Sequence, residues 1–466
     1  MSPSIVQLIP FLQPFPYGRT GERSLAAQFA LSTPGSKAKV ERDGGIKADQ
    51  PYGEIWFGTH QNGPAHVEGS SDPRSLRDLV GDDPEFYLGP KLLRDEPMQK
   101  QYANDVPYLF KVLSFDKPLP LQAHPDKKLG EMLMEQEKAE KAKNEDFVDG
   151  NAKPEVGVAL SDYFTAFVGF RPPQQLEAII KSVPEFASLF SDSSLSTFYD
   201  IASSTSTSQT KSALRSLFSD AIRLEPSQVQ PLVQKLSQRL ADEGAEKVFG
   251  VANAFTAEGD SNATGESEAA AMERVWNVSK DTYGDEDVGV LVSTCMMNLL
   301  RMRKGEGAWI LEDDLHAYVE GDIIECMANS DNMVAHGLGT EEQGGISTFV
   351  DMLSYRHLPA KELLLEYEDR SKLGKNGLTR AYKVPIAEFD LLSVALSPAS
   401  PRETISPLDG PLTFVVGTGT VAVSVDSERV ELSRGQAAFV RAGAEISVER
   451  TGEGDGPAEL WGAFYQ

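Results

Sequence analysis

Leu119-Pro120-Leu121-Gln122-Ala123-His124-Pro125 decides how this chain is read, and it follows closely on the apolar run Tyr108-Leu109-Phe110-Lys111-Val112-Leu113-Ser114. In an extended strand, residues two apart share a face, so Gln122 and His124 can converge on one point while Ala123 faces away. An amide oxygen beside an imidazole nitrogen is a donor pair that zinc accepts. An isolated pair of this kind is more often a buried histidine hydrogen-bonded to its neighbours. Here it has company: Lys153-Pro154-Glu155 downstream and Leu315-His316-Ala317-Tyr318 much later, in a chain with only six histidines.

The candidate metal ligands are therefore Gln122, His124, Glu155 and His316. Glu155 opens the apolar run Val156 to Leu160, and Pro154 fixes the backbone just before it. His316 precedes Tyr318-Val319-Glu320-Gly321-Asp322, which reads as a strand and turn. Ligands on three separate strands pointing into one barrel would make a metal site with a position left for water or substrate.

Working outward, 466 residues point to two or three domains. An apolar fraction of 40% supplies packed cores, and 24% charged residues are ordinary for a soluble protein. The formal net charge of -26 argues against binding nucleic acid or an anionic membrane through a general positive field. Two cysteines, Cys295 and Cys326, make no disulfide framework and suit a reducing compartment. The opening Met1-Ser2-Pro3-Ser4-Ile5-Val6-Gln7-Leu8-Ile9-Pro10-Phe11 lacks a basic start and is broken by prolines, so it reads as neither signal peptide nor anchor. The expectation is a cytoplasmic protein, a monomer, with no nucleic-acid or membrane partner. Asn262-Ala263-Thr264 and Asn277-Val278-Ser279 then carry little weight as glycosylation sites.

Residues 1–172 mix short β-type runs with turn residues, as in Gly53 to Gly58, Phe110 to Leu113 and Val156 to Leu160. The exception is Asp126 to Asn144, a Lys/Glu-rich stretch with helical character. From 173 to 300 apolar residues recur at helical spacing: Leu176, Ile179 and Ile180, then Leu214, Leu217 and Ile222, then Val233, Leu236 and Leu240. Ser203 to Ser208 and Glu258 to Ser267 read as connections. β character returns at Gly305 and continues to the end. Lys304-Gly305-Glu306-Gly307-Ala308-Trp309-Ile310 is echoed by Arg434-Gly435-Gln436-Ala437-Ala438-Phe439-Val440. The first copy leads to His316 and the second to no histidine, a pattern that two related barrels, one with a metal site and one without, would produce.

The motifs occur in an ordered series: Pro51-Tyr52-Gly53-Glu54-Ile55-Trp56-Phe57-Gly58-Thr59-His60, Phe110-Lys111-Val112-Leu113-Ser114, Gln122-Ala123-His124-Pro125, Lys153-Pro154-Glu155, Gly169-Phe170-Arg171-Pro172, and His316 through Ala328 followed by Ser330-Asp331-Asn332. In this order they resemble the type I mannose-6-phosphate isomerases, zinc enzymes built on the cupin barrel. The resemblance implies a mainly β chain of two cupin, jelly-roll-like barrels plus a helical domain. The catalytic barrel would take residues 1–172 and 301–355, the helical insert 173–300, and a metal-free barrel 356–466. It also implies one Zn2+ on Gln122, His124, Glu155 and His316, and a small phosphorylated sugar as substrate.

The implied reaction interconverts mannose 6-phosphate and fructose 6-phosphate and feeds GDP-mannose synthesis. Such an isomerisation needs a base near neutrality, an electrophile for the developing oxyanion, and a grip on the far end of the sugar. Lys153 and Glu325 are the candidate catalytic groups. A metal beside Lys153 would favour its neutral amine through like-charge repulsion. Glu54, Lys111 and Tyr318 are the candidates to line the substrate pocket.

The chain departs from the family pattern at several positions. Ala335, followed by His336, stands where the family has an arginine, and Gly339-Thr340-Glu341-Glu342 where it has a lysine. Ala152 replaces a histidine, Pro120 a serine, and Tyr17-Gly18-Arg19 a Trp-Gly-Lys. Each charge-assisted contact is worth about 1.5–3 kcal/mol, so these changes weaken a phosphate grip. Arg19, Lys111, Lys153 and His336 are the candidates to compensate. Two other readings follow from the same residues: a divergent homologue acting on another sugar or serving as a non-catalytic metal-bound sugar-binding protein, and an iron cupin oxygenase, since His and Glu also suit Fe(II).

Overall fold

The strand His316–Ala328 organises the structure around the predicted ligands. Its first residues pair with Tyr163–Phe170, bringing His316 opposite Val168, and with the short strand Gln122–Ala123, bringing His316 opposite Gln122. Its later half pairs with Tyr108–Phe115 on one side and Glu155–Ala159 on the other, so Glu325 lies opposite Lys111 and Met327 opposite Glu155. Between the halves Gly321 adopts φ 144°, and the pairing with Tyr163–Phe170 slips between Thr165 and Ala166. A residue with a Cβ would resist that backbone, and the irregularity turns the strand from one set of partners to the other.

A computed structural model describes residues 2–69, 73–140, 147–202, 206–255, 265–340, 342–452 and 456–466. Its ten-stranded sheet runs Met297–Arg303, Tyr163–Phe170, His316–Ala328, Tyr108–Phe115, Glu54–Trp56 and Phe11–Gln13, with four further short strands paired off this path. An eight-stranded sheet contains Tyr367–Glu368, Thr379–Tyr382, Asp390–Leu396, Ala458–Phe464, Leu412–Thr418 and Ala437–Val440. It continues into Ile5–Ile9 and His66–Val67 from the start of the chain. Ile5 pairs with Val440, so the N-terminal segment is stitched into strands that come last in the sequence. A four-stranded sheet, Arg402–Ile405, Ile446–Arg450, Thr420–Val425 and Glu428–Ser433, lies beside it in the chain's C-terminal part.

The chain is of mixed class, with about 36% helix and 29% strand, which corrects the expectation of a mainly β protein. The excess helix lies in Leu25–Ala30, Pro34–Arg42, Leu76–Asp82, Pro84–Arg94 and Glu96–Tyr102, whereas Lys127–Glu140 falls within the helix expected over Asp126 to Asn144. Most of these last one to three turns, too short for a 3.6-residue period to emerge. They are started instead by local signals: the side chains of Ser24, Ser75 and Asp95 accept N-terminal backbone N–H bonds.

Between Pro173 and Met296 the described elements are helical. Leu176, Ile179, Leu214, Leu217, Val233 and Leu236 enter one buried cluster. Leu121, Ala123, Leu315, Ala317 and Val319 belong to it as well. The alternation is thus complete: odd residues of the ligand strands anchor them to the helices, and Gln122, His124, His316 and Tyr318 face the other way. The echoed segments also agree in conformation, with Gly305 at φ 82° and Gly435 at φ 85° before the strands Gly307–Ile310 and Ala437–Val440. Residues 203–205 and 258–264 of the expected connections, including Asn262, and 141–144 of the expected helix lie outside the described residues. Among the described residues no helix is long and apolar enough to cross a membrane.

Candidate metal centre and substrate pocket

The ligand atoms of His124, Glu155 and His316 all lie within 4.8 Å of one another, and all three side chains are buried. His124 Nε2 stands 3.4 Å from Glu155 Oε2, and His316 Nε2 stands 3.1 Å from Glu155 Oε1. Each imidazole is oriented from behind. His124 Nδ1 lies 2.7 Å from the Asn332 carbonyl, and His316 Nδ1 lies 3.0 Å from the Asp314 carbonyl. A carbonyl only accepts, so both Nδ1 atoms carry the proton and both Nε2 lone pairs point inward, the arrangement of a metal-ligating histidine. Burial and the nearby Lys153 push His124 down to about 4, keeping its ring neutral.

Glu155 completes the donor set as an anion. Burial alone would raise its carboxyl, but the neighbouring Lys153 ammonium overrides that and holds it well below the usual range. Tyr318 donates to Glu155 Oε1 at 3.0 Å, and Lys153 Nζ sits 3.4 Å from Oε2. Glu155 Oε2 and His316 Nε2 are nonetheless buried without a hydrogen bond. Two buried lone pairs left open, at a cost of about 1–3 kcal/mol each, are what a cation between them would satisfy. Gln122, 7% exposed, is the register partner of His316 and faces the same side. The residues present fit a divalent metal.

A second charged group spans three paired strands, with Glu325 on the long strand that carries His316. Lys111 Nζ is 3.2 Å from both Glu54 Oε2 and Glu325 Oε2, with all three side chains buried, and it lies 5.2 Å over the ring of Trp56. Burial opposes the ammonium, but the two acids more than offset it and raise Lys111. Glu54 is held further by Trp56 Nε1 at 2.6 Å and by the Tyr17 hydroxyl. Glu325 lacks such support: its Oε2 has no directed hydrogen bond, and burial raises its carboxyl. Glu54 and Lys111 therefore lie together at one buried charge cluster, whereas Tyr318 is 1% exposed and turned onto a ligand carboxylate. Lys153, with 12% of its side chain exposed, stands at the boundary between ligands and solvent.

This chain is similar to known proteins over its whole length. The model of the type I phosphomannose isomerase catalytic domain matches residues 5–173. The mannose-6-phosphate isomerase of Aspergillus fumigatus is 30% identical over 453 residues, 94% of this chain and 92% of that protein. The chain belongs to the mannose-6-phosphate isomerase family. The Saccharomyces cerevisiae mannose-6-phosphate isomerase is 29% identical across 97% of both proteins. In fold, the chain resembles a variant of phosphomannose isomerase from Salmonella typhimurium with a TM-score of 0.74 at 21% identity, covering all of both chains. It also resembles a mannose 6-phosphate isomerase bound with zinc and yttrium, with a TM-score of 0.72 at 22% identity and full coverage of both.

Against that family the altered positions can now be placed. Ala335 is 1% exposed and pairs with Gln122. His336 is half-buried with Nδ1 unpartnered, and burial lowers its imidazole. Arg19 is engaged elsewhere, 3.0 Å from Asp322. Sequence reasoning missed the Asn332 and Asp314 carbonyls, because backbone groups leave no trace in residue type. It also missed Trp56 and Tyr17 as partners of Glu54; Trp56, two residues from Glu54 on the same strand, shares its face and was the available signal.

Proposed function

We propose that this chain is a zinc-dependent aldose–ketose isomerase that interconverts mannose 6-phosphate and fructose 6-phosphate, one step in supplying GDP-mannose. The observation that carries this reading is the inward convergence of His124, Glu155 and His316, both imidazoles locked by backbone carbonyls, beside a Lys111–Glu325 pair. Gln122, His124, Glu155 and His316 would hold one zinc ion. Bound there, zinc would polarise the sugar carbonyl and stabilise the oxyanion that develops on isomerisation.

The remaining work falls to side chains of this chain. A proton must leave one carbon and return to its neighbour, so one group has to accept and release it near neutral pH. Glu325, raised by burial, has the protonation range for that task, and Lys111 keeps it in place. Lys153, at the edge of the donor set, would move a proton between the two sugar oxygens. Tyr318 fixes the Glu155 carboxylate, and Glu54 with Trp56 fixes Lys111. The enzyme would work in the cytoplasm as a monomer. A coupled assay with mannose 6-phosphate on protein of measured metal content tests the reading: zinc with turnover supports it, whereas zinc without turnover, or iron with oxygen consumption, overturns it.

A further inference from the structure

Asn332 aims His124, yet no regular element holds it. Its carbonyl accepts from His124 Nδ1 at 2.7 Å across 208 positions of sequence. Residues 329–333 run without helix or strand between Ala328, the end of the long strand, and Val334. His316 is served differently, by the carbonyl of Asp314 two residues away. A carbonyl on an irregular segment keeps its direction only if side chains from elsewhere lock that segment.

The lock is centred on Asp149. Its Oδ1 accepts from the Ser330 hydroxyl at 2.9 Å and from the Asn151 N–H at 2.8 Å, and its Oδ2 accepts the Asp331 N–H at 3.1 Å. The Asn332 side-chain amide donates to the Asp149 carbonyl at 2.8 Å and to the Asn151 carbonyl at 3.0 Å, while the Asn332 N–H donates to the Ser330 hydroxyl oxygen at 3.2 Å. Three successive residues, Ser330, Asp331 and Asn332, are thereby tied to one carboxylate and its own backbone. Asp331 is held further by His60 Nε2 at 3.2 Å and by the Asn62 amide at 2.6 Å. Asp149 also opens the stretch Asp149-Gly150-Asn151-Ala152-Lys153-Pro154-Glu155. One side chain therefore joins the segment that supplies the Glu155 donor to the segment that aims the His124 donor.

We propose that Asp149 is a positioning residue of the metal centre: by fixing residues 330–332 it keeps the Asn332 carbonyl behind His124 and so sets the tautomer and direction of that ligand. The proposal rests on the zinc reading of the His124, Glu155 and His316 cluster. A carboxylate presents only acceptors to the donors that meet it. An amide of the same shape turns an NH2 group toward one of them and leaves that donor unmet. The consequence falls on His124 and spares His316, whose orienting carbonyl belongs to a different segment.

Asp149→Asn and Ser330→Ala test this in the full chain. Zinc affinity is measured by competition with a chelator, and the ring tautomers of His124 and His316 are read from long-range proton–nitrogen NMR spectra of the metal-free protein. Asp149→Asn weakens zinc binding about 10–100-fold, and His124 leaves the pure Nδ1–H form while His316 keeps it. Ser330→Ala shifts His124 in the same sense and weakens zinc about 3–10-fold, and it decides the matter should Asp149→Asn not fold. Zinc affinity within about twofold of the wild type in both variants overturns the proposal. So does an equal disturbance of both histidines, which marks a general loosening of the fold. A wild type with no zinc affinity would overturn the zinc reading instead, and the tautomers of the metal-free proteins would still decide the role of Asp149.

Discussion

Replacing Lys111 by methionine keeps the length of the side chain and removes the one charge that stands between Glu54 and Glu325, 3.2 Å from each. The group is 5% exposed, and removing one partner from a buried ion pair costs about 3–5 kcal/mol. The two acids respond differently. Glu54 keeps Trp56 and Tyr17 as hydrogen-bond donors. Glu325, already raised by burial with Lys111 as its main lowering influence, rises further and takes up a proton in the variant. An acid whose folded pKa exceeds its unfolded value binds its proton more tightly when folded, so stability falls as pH rises between those two values. Wild-type Glu325 titrates at about 7, so its contribution levels off above neutrality. The variant continues to lose stability above pH 7, by about 1.4 kcal/mol per pH unit. Urea unfolding of the zinc-loaded protein, followed by tryptophan fluorescence at pH 6, 7 and 8.5, measures the slope. Adding Glu325→Gln to Lys111→Met removes the buried acid, abolishes the extra slope and recovers about 2 kcal/mol at pH 8.5. A single-variant cost below about 1 kcal/mol at pH 8.5, or identical slopes for the single and double variants, would refute the reasoning.

Three further outcomes follow from the same geometry. Tyr318→Phe removes the hydrogen bond to Glu155 Oε1, and loss of a partner behind a ligand weakens metal binding about 10–100-fold, read by competition with a chelator while the fold is retained. Ala335→Arg sets a guanidinium beside Gln122 and raises kcat/KM for mannose 6-phosphate about tenfold or more; no change for the phosphate ester would count against the account of the altered pocket. Asp390 in the strand Asp390–Leu396 is pushed up to about 6 by burial, with Lys91 opposing. Its proton is held more tightly in the folded state, so stability drops as pH rises from about 4 to about 6 and is flat above. Asp390→Asn therefore raises Tm at pH 7.5 and gives no gain at pH 4.

What the sequence made legible is what depends on local period. Gln122 and His124 two apart, and Leu176, Ile179 and Ile180 at helical spacing, each declared a face, and those faces are the ones observed on opposite sides of the ligand strands. Long-range pairing left no such signal. The match of Ile5 with Val440 joins the two ends of the chain through register alone, and Lys111 came to stand between two acids because three strands align, not because of any motif around it. The short helices before residue 140 were hidden for a different reason: with one to three turns each, capping decides them and periodicity has no room to appear.

The central claim is that His124, Glu155 and His316 close on a zinc ion that serves isomerisation. It is tested most directly by measuring metal content and mannose 6-phosphate turnover on the same preparations of the wild type and of Glu155→Gln. The account predicts one zinc per wild-type chain with fructose 6-phosphate formed, and loss of both zinc and turnover in the variant. Stoichiometric zinc retained by Glu155→Gln, or a zinc-loaded wild type that leaves mannose 6-phosphate unchanged, would contradict it.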